Sequence, residues 1–239
     1  MPITLSECSY GYRRGHLVLD RLTLVFPEGV TLLLGPNGAG KSTLLAISAS
    51  GFAPRTGSVS YRGLDPAKGQ DRKSFRRAVA WMPQHISPIP GLTVRDQVAY
   101  MGWLKGLTRK DSWSRAAETL EAVELADLME RRSHELSGGQ LRRVGLAQAL
   151  VHEAEVILMD EPTAGLDPAQ RETFRRLVKQ VSAHAHVVIS THQIEDISQL
   201  YESVIVLDRG RVRFQGETSD FLRNGDAVTA YRRLVSGEV

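Results

Sequence analysis

Apolar residues alternate with polar ones at Leu17, Leu19 and then Leu22, Leu24 and Phe26, and an unbroken apolar run follows from Val30 to Leu34. Period two belongs to a strand with one covered face, and a short continuous run to a strand covered on both, so residues 3 to 34 predict a sheet-rich opening. Gly35 to Gly40 then bring three glycines and a proline, and Ser42 to Ser50 carry a helical pattern. The order is strand, glycine loop, helix. A strand at Ser58 to Tyr61, a polar loop, a short basic helix near Arg72 to Arg77 and a strand at Ala78 to Met82 come next.

Between Thr93 and Arg132 the pattern changes to two helical stretches separated by Gly106 to Asp111, with no strand between them. This reads as an inserted helical subdomain. Beyond Leu136 to Gln140 a helix runs to about Val151, and strands return at Val156 to Met159, Val187 to Ser190 and Val204 to Leu207, spaced by helices. Such alternation predicts a parallel sheet and an α/β fold. Thr218 to Val239 reads as a short accessory helix, either packed on the core or facing a neighbour.

Composition narrows the class. The 239 residues are 42% hydrophobic and 24% charged, the balance of a globular domain with room for one active unit. No stretch approaches the roughly 18 to 20 apolar residues of a membrane span. The first residues show no basic region followed by an apolar one, so a cytoplasmic chain is expected. The single cysteine, Cys8, cannot form an internal disulfide and stands away from any candidate base, so it is expected to be inert. Net charge is +3, from 30 basic against 27 acidic residues, and the Arg-Arg pairs at 13/14, 76/77, 131/132, 142/143, 175/176 and 232/233 are scattered. That is too diffuse for a nucleic-acid stripe, and no specific nucleic-acid partner is expected.

Gly35-Pro36-Asn37-Gly38-Ala39-Gly40-Lys41-Ser42 fits the phosphate-loop pattern, after an apolar strand and before a helix. Glycines let backbone N–H groups close round phosphate oxygens, and the helix N-terminus adds a favourable dipole. Lys41 would reach the β and γ phosphates, and Ser42 would ligate Mg²⁺. Val156-Ile-Leu-Met-Asp160-Glu161 places a carboxylate pair at the end of an apolar strand. Asp160 would hold the ion, and Glu161 would orient and polarise the attacking water. Ser137-Gly138-Gly139-Gln140, ahead of a helix, makes a good cap and a second anion site, and two anion sites per chain suggest a symmetric pair.

With that segment the sequence resembles the ATP-binding cassette (ABC) family over about Tyr12 to Gly216. The resemblance implies a P-loop NTPase (RecA-like) core with an N-terminal antiparallel β subdomain, about 1–86 and 153–239, and a helical subdomain at about 87–152. Two cassettes, identical or paralogous, would sandwich ATP between one chain's phosphate loop, extending to Thr43, and the other's signature, Ser137 to Gln140. Gln84 looks like the Q-loop glutamine, touching Mg²⁺ or the attacking water. Ala164 to Asp167 resembles the D-loop at the dimer interface, and His192 the switch histidine at the γ-phosphate. Tyr12 looks like the aromatic that stacks on adenine, with Tyr10 as its rival.

Gln148 and Met159 depart from the commonest pattern without touching the chemistry. The run Gly145 to Leu150, the Gly-Leu-Asp-Pro run ending at Pro168, and Ser190 to Asp196 lean toward export-type cassettes. The family also implies a separate transmembrane permease, docked near Gln84 to Lys105, and a peripheral position on the inner face of the membrane. Tyr100, Met101, Trp103 and Leu104 are the apolar docking candidates or else subdomain core. The rival readings are a soluble ATPase that remodels ribosomes or nucleic acid and a nucleotide-gated regulatory subunit. Lys41 and Ser137 are only 137 − 41 = 96 positions apart, which leaves no room for a coiled coil, and Glu161 argues against a pure switch.

Overall fold

A computed structural model describes residues 3–13, 15–194, 200–223 and 226–236. Arg14 of the first arginine pair, Glu195 and Asp196 of the export-like run, and the last residues of Thr218 to Val239 lie outside the described residues.

The opening strands β1 (Ile3–Tyr10) and β2 (Leu19–Val25) pair antiparallel, and β4 (Thr56–Tyr61) pairs on the other side of β1. Alternation in this sheet is interrupted twice. Between Leu5↔Leu24 and Cys8↔Leu22 the first strand carries an extra residue, and between Cys8↔Leu22 and Tyr10↔Leu19 the second strand does. Glu7 (φ 51°) and Arg21 (φ 44°) take the left-handed conformation at these bulges, which return Cys8 and Leu22 to the covered face. Leu17 falls outside the strand and is exposed.

The main sheet has six strands in the order β5 (Val79–Met82), β6 (Val156–Asp160), β7 (His186–Thr191), β3 (Val30–Leu34), β8 (Ser203–Asp208), β9 (Arg211–Glu217). The first five are mutually parallel, and β9 turns back antiparallel, a departure from the expected all-parallel sheet. Each central strand feeds two apolar clusters alternately. Leu32 and Leu34 face one and Leu33 the other; Ile157 and Met159 face one and Val156 and Leu158 the other. Burial on both faces is why these strands read as continuous apolar runs.

One cluster lies beneath the small antiparallel sheet. It takes in Leu44, Leu45 and Ile47 of α1 (Lys41–Ser48) and Phe75 of α2 (Gly69–Ala78). The other lies on the opposite face beneath α3 (Val94–Leu104), α4 (Arg109–Ala122), α5 (Gly138–Leu150) and α6 (Pro168–Val181). The inserted helices therefore share a core with the sheet. Residues 218–236 form two helices rather than one, α7 (Thr218–Leu222) and α8 (Ala227–Ser236), and both pack on that same core through Phe221, Ala230 and Tyr231. Among the described residues no helix is long and apolar enough to cross a membrane. Cys8 is fully buried, its thiol donates to Ser58 O, and burial raises its pKa, in keeping with an inert thiol.

Candidate nucleotide site

The phosphate loop joins β3 to α1. Gly38 (φ 83°) and Gly40 (φ 103°) occupy conformations that side chains disfavour, and Gly40 caps α1 without any side-chain oxygen. The first N–H groups of the helix are thus left for a ligand. Gly35 is required for a different reason: a Cβ there would stand 2.3 Å from the carbonyl oxygen of Leu207. A further bond from Gly210 N to Ala39 O (2.9 Å) ties the loop to the β8–β9 turn.

Lys41 begins the helix and is 5% exposed. Its Nζ donates to Gly35 O (2.7 Å) and Pro36 O (3.2 Å) and stands 3.4 Å from Glu161 Oε1. Burial lowers its pKa, and the nearby carboxylates of Glu161 and Asp160 oppose that shift. Glu161 follows the end of β6 with φ 43°, a strained backbone for a non-glycine residue, held where its carboxylate faces the loop. Its Oε2 lies 3.1 Å from His192 Nδ1, so one carboxylate bridges lysine and histidine.

Asp160 is 3% exposed and accepts a hydrogen bond from Ser190 Oγ (2.7 Å); the same hydroxyl accepts from Glu161 N (2.9 Å). Ser190 is the residue that sequence reading passed over. Its signal is a polar residue near the end of an apolar strand, and parallel register sets it directly beside Asp160.

Tyr12, Asn37, Gly38, Gly40, Lys41, Ser42, Thr43, Gln84, Glu161, Ala164 and His192 line one cleft of about 560 Å³ together with Val18. Tyr12 is the tyrosine that faces it: the ring is 62% exposed and its hydroxyl is 3.0 Å from Thr43 Oγ1. Tyr10 instead stacks on Phe52 (5.3 Å between ring centres, 3° between planes) and meets Tyr12 edge-on, a wall behind it. Pro36 and Ala39 shape the loop without lining the cleft, and Gly35 and Asp160 lie beneath it.

The signature lies elsewhere. Ser137 caps α5, accepting from Gln140 N (3.3 Å) while its own N–H donates to Gln140 Oε1 (2.9 Å). Ser137 and Gly138 are exposed, Gly139 is buried against Gln170, and none of the four lines the cleft. Asp167 caps α6 through Gln170 N (2.8 Å), exposed beside Pro168.

A phosphate loop after β3 whose lysine faces carboxylates at the end of β6, beyond the intervening β7, defines a P-loop nucleoside triphosphatase. The family model described as ABC transporter matches residues 19–164. The cobalt import ATP-binding protein CbiO of Rhodobacter capsulatus is 38% identical, over 92% of this chain and 81% of its own length. The linearmycin resistance ATP-binding protein LnrL of Bacillus subtilis is 34% identical, over 86% and 66%. Among solved structures, the dimeric MJ0796 cassette, a bacterial ABC transporter cassette, superposes with TM-score 0.79 and 28% identity over 90% of this chain and 98% of that one. A post-hydrolysis dimer of the same cassette bound to ADP and Pi gives the same values. The chain belongs to the ABC transporter family as its ATP-binding subunit. It is an ATPase. Import and resistance names both occur among the relatives, so the export lean of the sequence finds no preference there.

Proposed function

We propose that this subunit closes on a second cassette around ATP and Mg²⁺, hydrolyses the nucleotide with Glu161, and transmits the opening to a separate permease on the inner face of the membrane. One observation carries the reading: Lys41, Gln84, Glu161 and His192 meet in a single cleft, while Ser137 to Gln140 stand outside it, with Ser137 and Gly138 exposed at the start of α5. An exposed anion site at α5 is matched by a phosphate site that lacks a far wall, and a second copy, identical or paralogous, supplies both. Asp167, at the exposed cap of α6, would cross that interface.

Within the cleft the exposed Tyr12 ring would stack on adenine, with Tyr10 and Phe52 holding it from behind. Gly35 to Thr43 would wrap the phosphates. Ser42, Gln84 and Asp160 offer hydroxyl, carboxamide and carboxylate oxygens, the donors that suit a hard cation such as Mg²⁺. The ion, when bound, would neutralise charge on the transferring phosphate. Lys41 would leave the carbonyls of Gly35 and Pro36 for the phosphates and release Glu161 from its ion pair. Glu161 would then take the proton of the attacking water, with His192 holding the carboxylate on its other side.

Gln84 lies where the cleft ends and a loop to α3 begins. That loop is fixed by Gln97, which is buried, accepts from Ile89 N (2.9 Å) and donates to Ser87 O (3.3 Å). Movement at the γ-phosphate would therefore reach the region Gln84 to Lys105, where the permease would dock. Tyr100, Trp103 and Leu104 are between 43% and 56% exposed there, whereas Met101 packs partly into the core.

Replacing the water-polarising group tests the mechanism. Glu161→Gln should bind ATP within about twofold of the parent, lose about 100-fold or more of its turnover, and elute as an ATP-bound dimer. Undiminished phosphate release would remove Glu161 from the chemistry.

A further inference from the structure

The last turns of α4, α5 and α6 converge on a cavity of about 440 Å³. It lies at the entries to β6 and β7, where Glu155 and Ala185 line it, and so at the opposite ends of those strands from Asp160, Glu161 and His192. Its walls are apolar. Leu146 and Leu150 come from α5 and Leu177 and Val181 from α6, while Ala122, the exposed last residue of α4, completes the rim. Leu146 and Leu177 are buried, and Leu150 and Val181 are half-buried. The volume falls in the range of small-molecule sites, about 300 to 1,000 Å³.

The titratable lining is Glu118, Glu153, Glu155 and His184, with no lysine or arginine. Glu155 pairs with Arg62 and accepts from the Tyr61 hydroxyl (2.9 Å), and Glu153 pairs with Arg115 (2.6 Å). Glu118 accepts from Ser114 Oγ (3.1 Å) and enters no ion pair among the described residues. Arg115, one turn before it, answers to both Glu153 and Glu118. Three helix C-termini add partial negative charge of their own. Arg143 donates to Val123 O and Glu124 O at the end of α4, and Lys179 sits in the last turn of α6, but neither lines the cavity. The slot is thus apolar inside and negative at its rim.

We infer that this cavity binds a small lipophilic cation, its apolar body against Leu146, Leu150, Leu177 and Val181 and its ammonium group beside Glu118. A fatty acid would bring a like charge to the carboxylates, and a neutral hydrocarbon would cover the leucines and leave Glu118 unanswered. A protonated amine on an apolar body satisfies both. α5 and α6 are each roughly 20 Å long and begin at Ser137 and Asp167, the caps assigned above to the interface between cassettes. At those far ends Gly139 lies against Gln170. A ligand in the cavity therefore bears on both helices without entering the nucleotide cleft, and its binding needs neither nucleotide nor permease.

Three probes of one chain length test it: decylammonium, decan-1-ol and decanoate, each below its micellar or solubility limit. They are titrated into the full chain carrying isotope-labelled Leu and Val methyl groups and followed by NMR. Decylammonium should saturate one site, shifting the methyls of Leu146, Leu150, Leu177 and Val181. It should bind about threefold or more tighter than the alcohol and about tenfold or more tighter than the carboxylate. Glu118→Gln should bring the amine down to the affinity of the alcohol and leave the alcohol unchanged. Ala122→Phe, at an exposed helix end, should remove amine binding while the remaining methyl spectrum stays that of the folded parent. A non-hydrolysable ATP analogue should not displace the amine. Equal affinity for all three probes, or an amine affinity unaltered by Glu118→Gln, would make the cavity an apolar slot without preference for charge and overturn the inference. Binding that survives Ala122→Phe, or that the ATP analogue displaces, would place the amine elsewhere and overturn it too. No saturable shift with any probe would leave the cavity to a side chain of a neighbouring protein, and the small-molecule site would fall.

Discussion

Ser190 joins the two carboxylates, Asp160 and Glu161, to which the proposed mechanism gives turnover. Its hydroxyl is wholly buried, donates to Asp160 and accepts from the backbone of Glu161, so it fixes one carboxylate directly and the other through its strained peptide. Ser190→Ala leaves a buried N–H and a buried carboxylate oxygen short of a partner, at about 1–3 kcal/mol. Turnover should fall about tenfold or more in steady-state phosphate release, with ATP affinity nearly unchanged by calorimetry. A fall in affinity matching the fall in rate would place Ser190 in binding instead. Most side chains of the cleft were legible because glycine spacing and the carboxylate pair are local signals. Ser190 was not, since its role comes from parallel register with a strand 30 residues away. Tyr12 could not be separated from Tyr10 for a related reason: the opposed bulges shift the register of the first strand pair, and alternation counted along the chain loses its phase.

At the level of elements, the N-cap of α5 has two roles. Ser137 closes the capping box, and in the proposed dimer its exposed hydroxyl would also face a second cassette. These roles carry separable magnitudes. Ser137→Ala should cost the isolated subunit about 1 kcal/mol of stability in chemical denaturation. It should abolish the ATP-dependent dimer in sedimentation, an effect that a weakened cap cannot produce. A dimer formed at the parental ATP concentration would separate the signature from the second nucleotide. Element positions were read well wherever strands are buried on both faces, as in β3, β6, β7 and β8. β9 escaped because it is an edge strand: Val212 and Phe214 supply its apolar half among charged residues and a glycine. Its remaining trace is Arg209-Gly210, both at positive φ (48° and 72°), which turns the chain tightly enough for an antiparallel hairpin.

For the whole molecule, the junction between core and inserted helices holds one group that ties stability to pH. His152, just beyond α5, is 2% exposed, and neither ring nitrogen has a hydrogen-bond partner among the described residues. Burial, reinforced by the charges of Lys105 and Arg77, lowers its pKa to about 3. A folded-state pKa below the unfolded value of about 6.5 means that the unfolded chain takes up the proton first. Stability from the neutral ring is complete above about pH 6.5 and drains away as pH falls toward 3. His152→Leu removes both the titration and the orphaned nitrogens. The variant should outlast the parent by about 1 kcal/mol at neutral pH and by a widening margin at pH 5, measured by thermal unfolding across pH. Parallel pH profiles would acquit His152. Sequence alone places this histidine after a helix and no more, because its burial arises from long-range packing.

The one cysteine has a consequence for the molecule's dealings with oxidants and electrophiles. Cys8 is sealed under the small sheet with its thiol held in the protonated form, so the outer surface presents no sulfur nucleophile. Hydrogen peroxide, glutathione disulfide and maleimides find no thiol to attack while the fold is intact, and the working enzyme is insulated from the thiol redox state of its surroundings. Local melting of the β1–β2 ribbon is what would uncover that sulfur, so its rate of alkylation is a built-in clock for the opening of that ribbon.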